Sequence, residues 1–423
     1  MNDLSSIQAV RGMHDIAGDR MEQLVRMESF ARDLFFLYAY QEIRTPHLES
    51  LVLFERALGQ TTDIVEKEMF VLKDRGERLL VLRPEGTAGI VRSYIENDLD
   101  KKSVIAKFFY MGSMYRAERP QAGRLREFNQ IGSEYFGNNA PSADAETIEL
   151  ACKLLETIGI QNVQVQLNSI GCSECRPNYQ RVLLDFLMKF KDQLCSDCIK
   201  RMDRNPLRAL DCKIDRDKLE AAPSSLDTLC LACKDHHLEL EAFLKMISLE
   251  YKIVPHLVRG LDYYNRTVFE IYSPGKDGSQ DALAAGGRYD TLTQQLGGAL
   301  VPAVGFAMGV ERVLNLLEQT KASQSETKKR EGVFLIALGK ETFAKSFQTL
   351  NFLRSKGFKT NSLLNHQSLK SQMRFADGLG ARFCLIIGED EIKNDQVTLK
   401  DLEQKSQTLI PSSMLLQELA KIQ

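Results

Sequence analysis

No uninterrupted apolar run in this chain approaches the roughly 18 residues that a membrane-spanning helix needs. The first residues, MNDLSSIQAVRGMHD, also lack the basic stretch followed by an apolar core that marks an export signal. Charge of one sign is missing too. Against 57 Asp+Glu stand 55 Lys+Arg, a net of −2, so no global excess announces a nucleic-acid binder. Poverty of apolar residues, the mark of a disordered chain, is absent as well: 43% of the residues are hydrophobic, and 423 residues suffice for two or three domains, each with its own core. These absences together predict a cytoplasmic globular protein with no membrane partner.

A near-neutral total can hide opposed parts. Residues 332–423 carry 12 Lys+Arg against 9 Asp+Glu, a net of +3, which leaves −5 for the first 331 residues. The boundary is a polar run, Gln319-Thr-Lys-Ala-Ser-Gln-Ser-Glu-Thr-Lys-Lys-Arg-Glu331, with nothing larger than alanine to bury, so 319–331 reads as an exposed linker. Beyond it, Val333 to Leu338 and Phe383 to Ile387 read as buried strands. Glu341 to Lys356, closed by Gly357, and Ser368 to Leu379 read as helices, which together predict a small α/β domain over 332–423. Before the linker, a helix from about Arg20 to Tyr40 precedes many short strands. Val71-Leu72, Arg78 to Leu82, Phe108 to Met111, Asn129 to Phe136 and Thr267 to Tyr272 are joined by polar turns, which predicts an antiparallel, α+β domain over 1–318. Within it, about 168–253 is more helical and reads as an insertion.

Several stretches carry chemistry. Leu82-Arg-Pro-Glu-Gly-Thr87 ends a strand at proline and then offers a carboxylate, a flexible backbone and a hydroxyl, a set able to clamp an ammonium group. Lys107 to Arg116, a basic loop with Arg124 and Arg126, and a returning strand with Gln130, Gly132 and Glu134 in alternation would gather Arg116, Gln130 and Glu134 on one sheet face. A guanidinium binds phosphate oxygens bidentately and keeps its charge. Val304-Gly-Phe-Ala-Met-Gly-Val-Glu-Arg-Val-Leu314 runs a strand of small residues into a helix with Arg312 in its first turns, and Gly305 and Gly309 would let helix and sheet approach closely. Each stretch alone is equally well read as an ordinary turn, a solvated hairpin or a packing device.

In order along the chain, these stretches resemble the three signature motifs of class II aminoacyl-tRNA synthetases: the long helix with Tyr40 to Pro46, the Arg116 hairpin, and the Arg312 helix. Val258-Arg-Gly-Leu-Asp-Tyr-Tyr-Asn-Arg-Thr-Val-Phe-Glu270 and Ala285-Gly-Gly-Arg-Tyr-Asp290 are similar to the two histidine-specific motifs of the histidyl-tRNA synthetase family. The resemblance spans nearly the whole chain and implies an antiparallel catalytic domain, a C-terminal anticodon-binding domain and a homodimer. It implies L-histidine, ATP with Mg²⁺, and tRNA(His) as partners. By position it puts Arg116, Arg124 and Arg312 on the nucleotide and Arg259 at the reacting carboxylate and α-phosphate. Glu85, Gly86, Thr87 and Gln130 would receive the amino-acid backbone; Glu134 and Tyr264 would read the imidazole in a pocket shaped by Tyr263 and Tyr289. A competing resemblance is to histidine-sensing paralogues that regulate ATP phosphoribosyltransferase without charging tRNA. Those lack the C-terminal domain.

Three CxxC knuckles, Cys172/Cys175, Cys195/Cys198 and Cys230/Cys233, with Cys212 between them, fall in the predicted insertion. The spacing of the first two pairs is near that of a four-thiolate zinc site, yet seven candidates for four positions leave the ligands undetermined. Structural zinc and reduced thiols stand as equal readings.

Overall fold

Alternation along the strands decides the architecture of the first half. Phe109, Ile131, Phe269, Phe306 and Met308 are buried on one face of a large sheet, whereas their strand neighbours Tyr110, Gln130, Glu134, Glu270, Gly305 and Ala307 line a cavity on the other. The apolar face is covered by the helices Gly18–Leu37, Pro141–Ile158 and Leu231–Met246, which contribute Phe35, Leu154 and Leu240 to one core. On the polar face the cavity opens.

The computed structural model describes residues 7–60, 62–119, 124–273, 282–322, 330–365 and 368–420. They divide into two units, Met1–Thr320 and Lys321–Gln423. Among the described residues the large sheet of the first unit has eight strands, in the order Gln41–Glu42, Ala106–Tyr115, Glu127–Phe136, Ala303–Gly309, Ala284–Arg288, Asn265–Tyr272, Gln164–Ser169 and Tyr251–Ile253. The inner pairings are antiparallel, as expected. The two edge pairings are parallel, because each edge strand lies a long excursion, not a hairpin, away from its neighbour in the chain. A second sheet of three antiparallel strands joins Leu48–Ser50, Leu79–Leu82 and Phe70–Lys73.

The first helix ends three residues before the expected Tyr40, since Ala39 adopts a left-handed φ of 61° that a continuing helix cannot accommodate. The cysteine-rich region also differs in extent from the reading of 168–253 as one helical insertion. Asn168, Ser169 and Tyr251–Ile253 belong to sheet strands, and the Leu231–Met246 helix packs Leu240 and Leu244 into the core behind the sheet. What protrudes is the stretch between, a chain of short helices and 3-10 turns from Arg176–Met188 to Ser225–Thr228. The expected linker 319–331 begins inside a helix, Val310–Ala322, and its residues 323–329 lie outside the described residues.

In the second unit, Thr360–Ser362, Val333–Ala337 and Phe383–Ile387 pair in parallel, as an α/β reading requires. Leu335 packs on one face with Leu350 and Leu353 of the Phe343–Ser355 helix, and Ile336 on the other with Ala376 of Leu369–Gly378. Two antiparallel strands, Gln396–Asp401 and Ser406–Pro411, extend this sheet beyond what periodicity indicated.

Candidate active site

The cavity holds about 310 Å³. Its floor is a row of directly opposed residues across five strands: Tyr110, Gly132, Ala307, Ala285 and Glu270. The three central members are small, so the floor is depressed between a tyrosine at one end and a carboxylate at the other. In the adjacent row Glu134 lies between Phe108 and Gly305. A Cβ built on Gly305 would collide with the Glu134 carboxylate, and one on Gly132 would approach the Tyr110 hydroxyl to 2.6 Å. This corrects the reading of Gly305 as a device for bringing helix and sheet together: its missing side chain makes room for a carboxylate on the neighbouring strand. Gly309 has only the flexible arm of Arg312 within 4 Å, so close approach to the sheet is not its role either.

Eleven of the residues singled out from the sequence line this cavity: Glu85, Thr87, Arg116, Arg124, Gln130, Glu134, Arg259, Tyr263, Tyr264, Tyr289 and Arg312. Gly86 does not line it; it lies behind, where any side chain would meet the Tyr110 ring.

One end of the cavity is deeply buried, and its carboxylate is tightly paired. Glu134, 1% exposed, accepts hydrogen bonds from the Thr87 hydroxyl at 2.6 Å and from the Tyr289 hydroxyl. Burial pushes its carboxyl up to about 8, against the opposing pull of those two donors. Tyr263 packs between Tyr264, with ring centroids 4.6 Å apart, and Tyr289, at 5.5 Å. Burial raises all three phenols above their ordinary value, so they remain neutral hydroxyls at physiological pH. The Tyr110 hydroxyl and the Gln130 Oε1 atom are buried with no hydrogen-bond partner among the described residues, and groups left so are costly unless something satisfies them.

Glu85 is also buried, and its two oxygens accept the backbone N–H groups of Thr87 and Ala88, each at 2.8 Å. These are orphan amides at the start of the Thr87–Glu96 helix, which gives the carboxylate a structural task in addition to any ligand. Burial raises its proton affinity while the two amides lower it.

Arginines occupy the other end. Arg116 donates from Nε to the Pro84 carbonyl at 3.0 Å and lies over the Phe128 ring. Arg124 is held by Glu118 at 2.7 Å. Arg312 donates to the Ala282 carbonyl at 2.8 Å. The loop linking the first two was expected to be basic and to meet a substrate; its residues 120–123 lie outside the described residues.

Between the two ends sits Arg259, ion-paired with Glu270, which also accepts from the Tyr272 hydroxyl. Glu270 is 1% exposed, and its charge raises the Arg259 guanidinium above its usual value despite the opposing effect of burial. Sequence reasoning had left Glu270 as a residue of the supporting strand. Its inward alternation with Val268 was the available signal, but the partner eleven positions away became evident only with the fold. Arg288 of the AGGRYD stretch is another such case. It is fully buried, bound to Asp144 and to Asp290 at 3.0 Å, and it fastens the strand to the Pro141–Ile158 helix rather than facing the cavity.

The fold resolves the grouping that spacing left undetermined among the cysteines. The knuckle Cys172/Cys175 meets Cys230/Cys233, not Cys195/Cys198, while Cys195 and Cys198 meet Cys212 and Asp215. Sequence proximity favoured the first two knuckles, but the return of the chain to the sheet brings the first and third together. Both groups could hold a metal ion.

An antiparallel sheet with arginines at one end of its open face and a sealed carboxylate and tyrosine pocket at the other, followed by a separate α/β unit, defines a class II aminoacyl-tRNA synthetase. The family model described as histidyl-tRNA synthetase matches residues 12–313, and that described as anticodon binding domain matches 332–422. The chain belongs to the histidyl-tRNA synthetase family. It is 46% identical to the histidine–tRNA ligase of Aquifex aeolicus, covering 97% of this chain and 100% of that one. To the histidine–tRNA ligase of Elusimicrobium minutum it is 45% identical, covering 98% of each. The structure of apo S. aureus histidyl-tRNA synthetase matches with a TM-score of 0.80 and 32% identity, covering 97% of this chain and 99% of that one. Among the described residues no helix is long and apolar enough to cross a membrane.

Proposed function

We propose that this chain is a histidine–tRNA ligase whose side chains divide the reaction as follows. The supporting observation is the cavity in which buried Glu134, held by the Thr87 and Tyr289 hydroxyls, shares the lining with Tyr264 and the Arg259–Glu270 pair. A neutral imidazole has one N–H donor and one lone pair, and a carboxylate facing a tyrosine hydroxyl satisfies both. An apolar competitor leaves those groups unpaired, which sites of this kind reject by roughly 10⁴ or more. The α-ammonium group is received by Glu85, with Thr87 and Gln130 beside it.

In the first step a carboxylate oxygen of histidine bonds to the α-phosphorus of ATP, and the bond from that phosphorus to the bridging oxygen breaks to release pyrophosphate. Arg259 and Arg116 offset the charge at the α-phosphate, while Arg124 and Arg312 hold the outer part of the nucleotide. ATP arrives as its magnesium complex, and the carboxylate of Glu311 lies in the lining of the same cavity. In the second step a hydroxyl of the terminal ribose of tRNA(His) attacks the acyl carbon, and AMP leaves.

The reading extends to a cytoplasmic homodimer. Supporting it, Val25, Phe36 and Leu37 of the first helix and Val71 and Leu79 of the small sheet are large apolar side chains exposed on the unit. The two groups of cysteine ligands in the cysteine-rich region are read as metal-binding. Histidine-dependent ATP–pyrophosphate exchange together with charging of tRNA tests the activity: exchange without charging, or neither, rejects the ligase reading.

A further inference from the structure

We propose that the cysteine-rich region holds two separate zinc ions, one on Cys172, Cys175, Cys230 and Cys233, the other on Cys195, Cys198, Cys212 and Asp215, and that the second sets the wall of the active-site cavity. The inference rests on the reading of this region as metal-binding and adds the number of ions, the donor sets and their tasks.

Geometry carries it. Four ligand atoms in each group lie within 4.8 Å of one another. Sγ atoms of Cys172 are 3.8 Å from those of both Cys175 and Cys230, and Cys195 Sγ is 3.7 Å from Cys212 Sγ. A tetrahedron with Zn–S arms of about 2.3 Å has edges of about 3.8 Å. A disulfide needs about 2.05 Å between sulfurs, and all these cysteines are free. Two of the CxxC turns also aim a backbone N–H at a sulfur, in opposite chain directions: the Cys172 N–H at Cys175 Sγ at 3.3 Å, and the Cys198 N–H at Cys195 Sγ at 3.4 Å. The Asp215 carboxylate accepts the Cys195 N–H at 2.9 Å and pairs with Lys218 at 3.0 Å, the outer contacts that orient a ligating carboxylate.

The two positions imply different tasks. Cys172 and Cys175 follow the Gln164–Ser169 strand, and Cys230 and Cys233 begin the Leu231–Met246 helix, so the first ion closes the base of the protruding stretch where the chain leaves and rejoins the sheet. The second donor set brackets the 3-10 turn Pro206–Asp211. That turn delivers Arg208 and Asp211 to the cavity lining, and Arg208 pairs with Asp262, three residues from Arg259, at 3.4 Å. Asp211 and Arg259 line the same cavity, so the turn faces the arginine between the two substrate ends. The first ion holds the excursion in place; the second fixes the turn that faces the reacting groups.

Metal analysis of the full chain, purified without chelator, tests the count. Two zinc ions per chain are expected. One ion per chain overturns the two-site assignment while leaving a metal-binding region; less than about a tenth of an equivalent rejects both. The Cys230→Ser and Cys233→Ser double variant is expected to lose one ion and keep the other, and Asp215→Ala to lose the second while Asp215→Cys retains it. Loss of both ions in every variant, or retention of both in Asp215→Ala, rejects the donor sets. Stepwise release from the unaltered protein by a mercurial reagent keeps the test independent of how the variants fold: two phases, of four and three thiols, are expected, and a single phase of four rejects the second site. The Asp215→Ala protein is further expected to show a severalfold higher KM for ATP with the KM for histidine little changed, whereas a merely structural loss would move both.

Discussion

The two ends of the cavity are built on opposite principles. At the sealed end Glu134 is 1% exposed, its hydroxyl partners are in place, and the tyrosines around it are packed ring against ring, tilted and edge-on, before any ligand arrives. At the arginine end the cations rest on the chain's own acceptors: Arg116 on the Pro84 carbonyl, Arg124 on Glu118, Arg312 on the Ala282 carbonyl. A ligand that must be distinguished from its relatives needs a rigid, desolvated partner set, since discrimination comes from leaving buried groups unpaired in the wrong complex. A polyphosphate needs charge that can be reassigned, and half-exposed guanidinium groups exchange a carboxylate for a phosphate at little cost. Specificity and charge neutralisation are therefore separated in space, with Arg259 at the seam.

Replacing the seam is expected to have the largest effect. Arg259→His is expected to lower histidine-dependent ATP–pyrophosphate exchange by about 10²–10³, the usual cost of removing a positioned electrostatic contact to developing charge. KM values should change far less than the rate. A near-normal rate removes Arg259 from the reaction.

Next comes the sealed end. Glu134→Gln is expected to raise the KM for histidine about a hundredfold, because an amide puts an NH₂ donor where one carboxyl oxygen now accepts a hydroxyl, leaving buried groups mispaired. The same variant has a second signature. A carboxyl raised to about 8 in the folded chain, against its ordinary unfolded value, stabilises the protein fully below that ordinary value, and the contribution is lost as pH rises toward 8. The unaltered protein should thus lose stability between about pH 5 and 8 relative to Glu134→Gln. Denaturant midpoints compared at those two pH values check it; parallel trends would mean that Glu134 is ionised in the free protein.

How much of this was legible beforehand depended on the range of the cause. The class of fold followed from local signals: alternation in Asn129 to Phe136 and Thr267 to Tyr272, and the apolar runs Val333 to Leu338 and Phe383 to Ile387, carry their strand character within a few residues. The gathering of Arg116, Gln130 and Glu134 was also local, a hairpin with period-two alternation. What escaped depended on register between distant strands. Glu270 faces Ala285 across one ladder, Gly305 faces Glu134 across another, and neither relation has a trace in spacing. The cysteine grouping stayed undetermined for the same reason: the first and third knuckles meet because the Gln164–Ser169 strand and the Leu231–Met246 helix belong with one sheet. Proximity in sequence was a poor guide to it.

Third in size is the support beneath Arg259. Glu270→Gln leaves a guanidinium facing a neutral amide in a largely buried position, which is expected to cost on the order of 3 kcal/mol in stability. The exchange rate should fall about tenfold as the guanidinium loses its fixed direction. If stability falls but the rate does not, Glu270 is a folding contact alone.

The smallest effect is expected where the arginine end rests on its own carboxylate. Glu118 contacts Arg124 at 2.7 Å and approaches Arg116 to 3.8 Å, so it competes with the nucleotide for two of the cations. Partly exposed pairs of this kind are worth about 0.2–1 kcal/mol. Removing the competitor by Glu118→Ala should therefore lower the KM for ATP about twofold, with no change in the KM for histidine. Because screening weakens the same pair in the unaltered protein, the difference between the two proteins should shrink as salt is raised. A rise in the KM for ATP would reverse the assignment: Glu118 would then serve the bound nucleotide, through its magnesium ion, and the arginine end would be as preorganised for its ligand as the sealed end is for histidine.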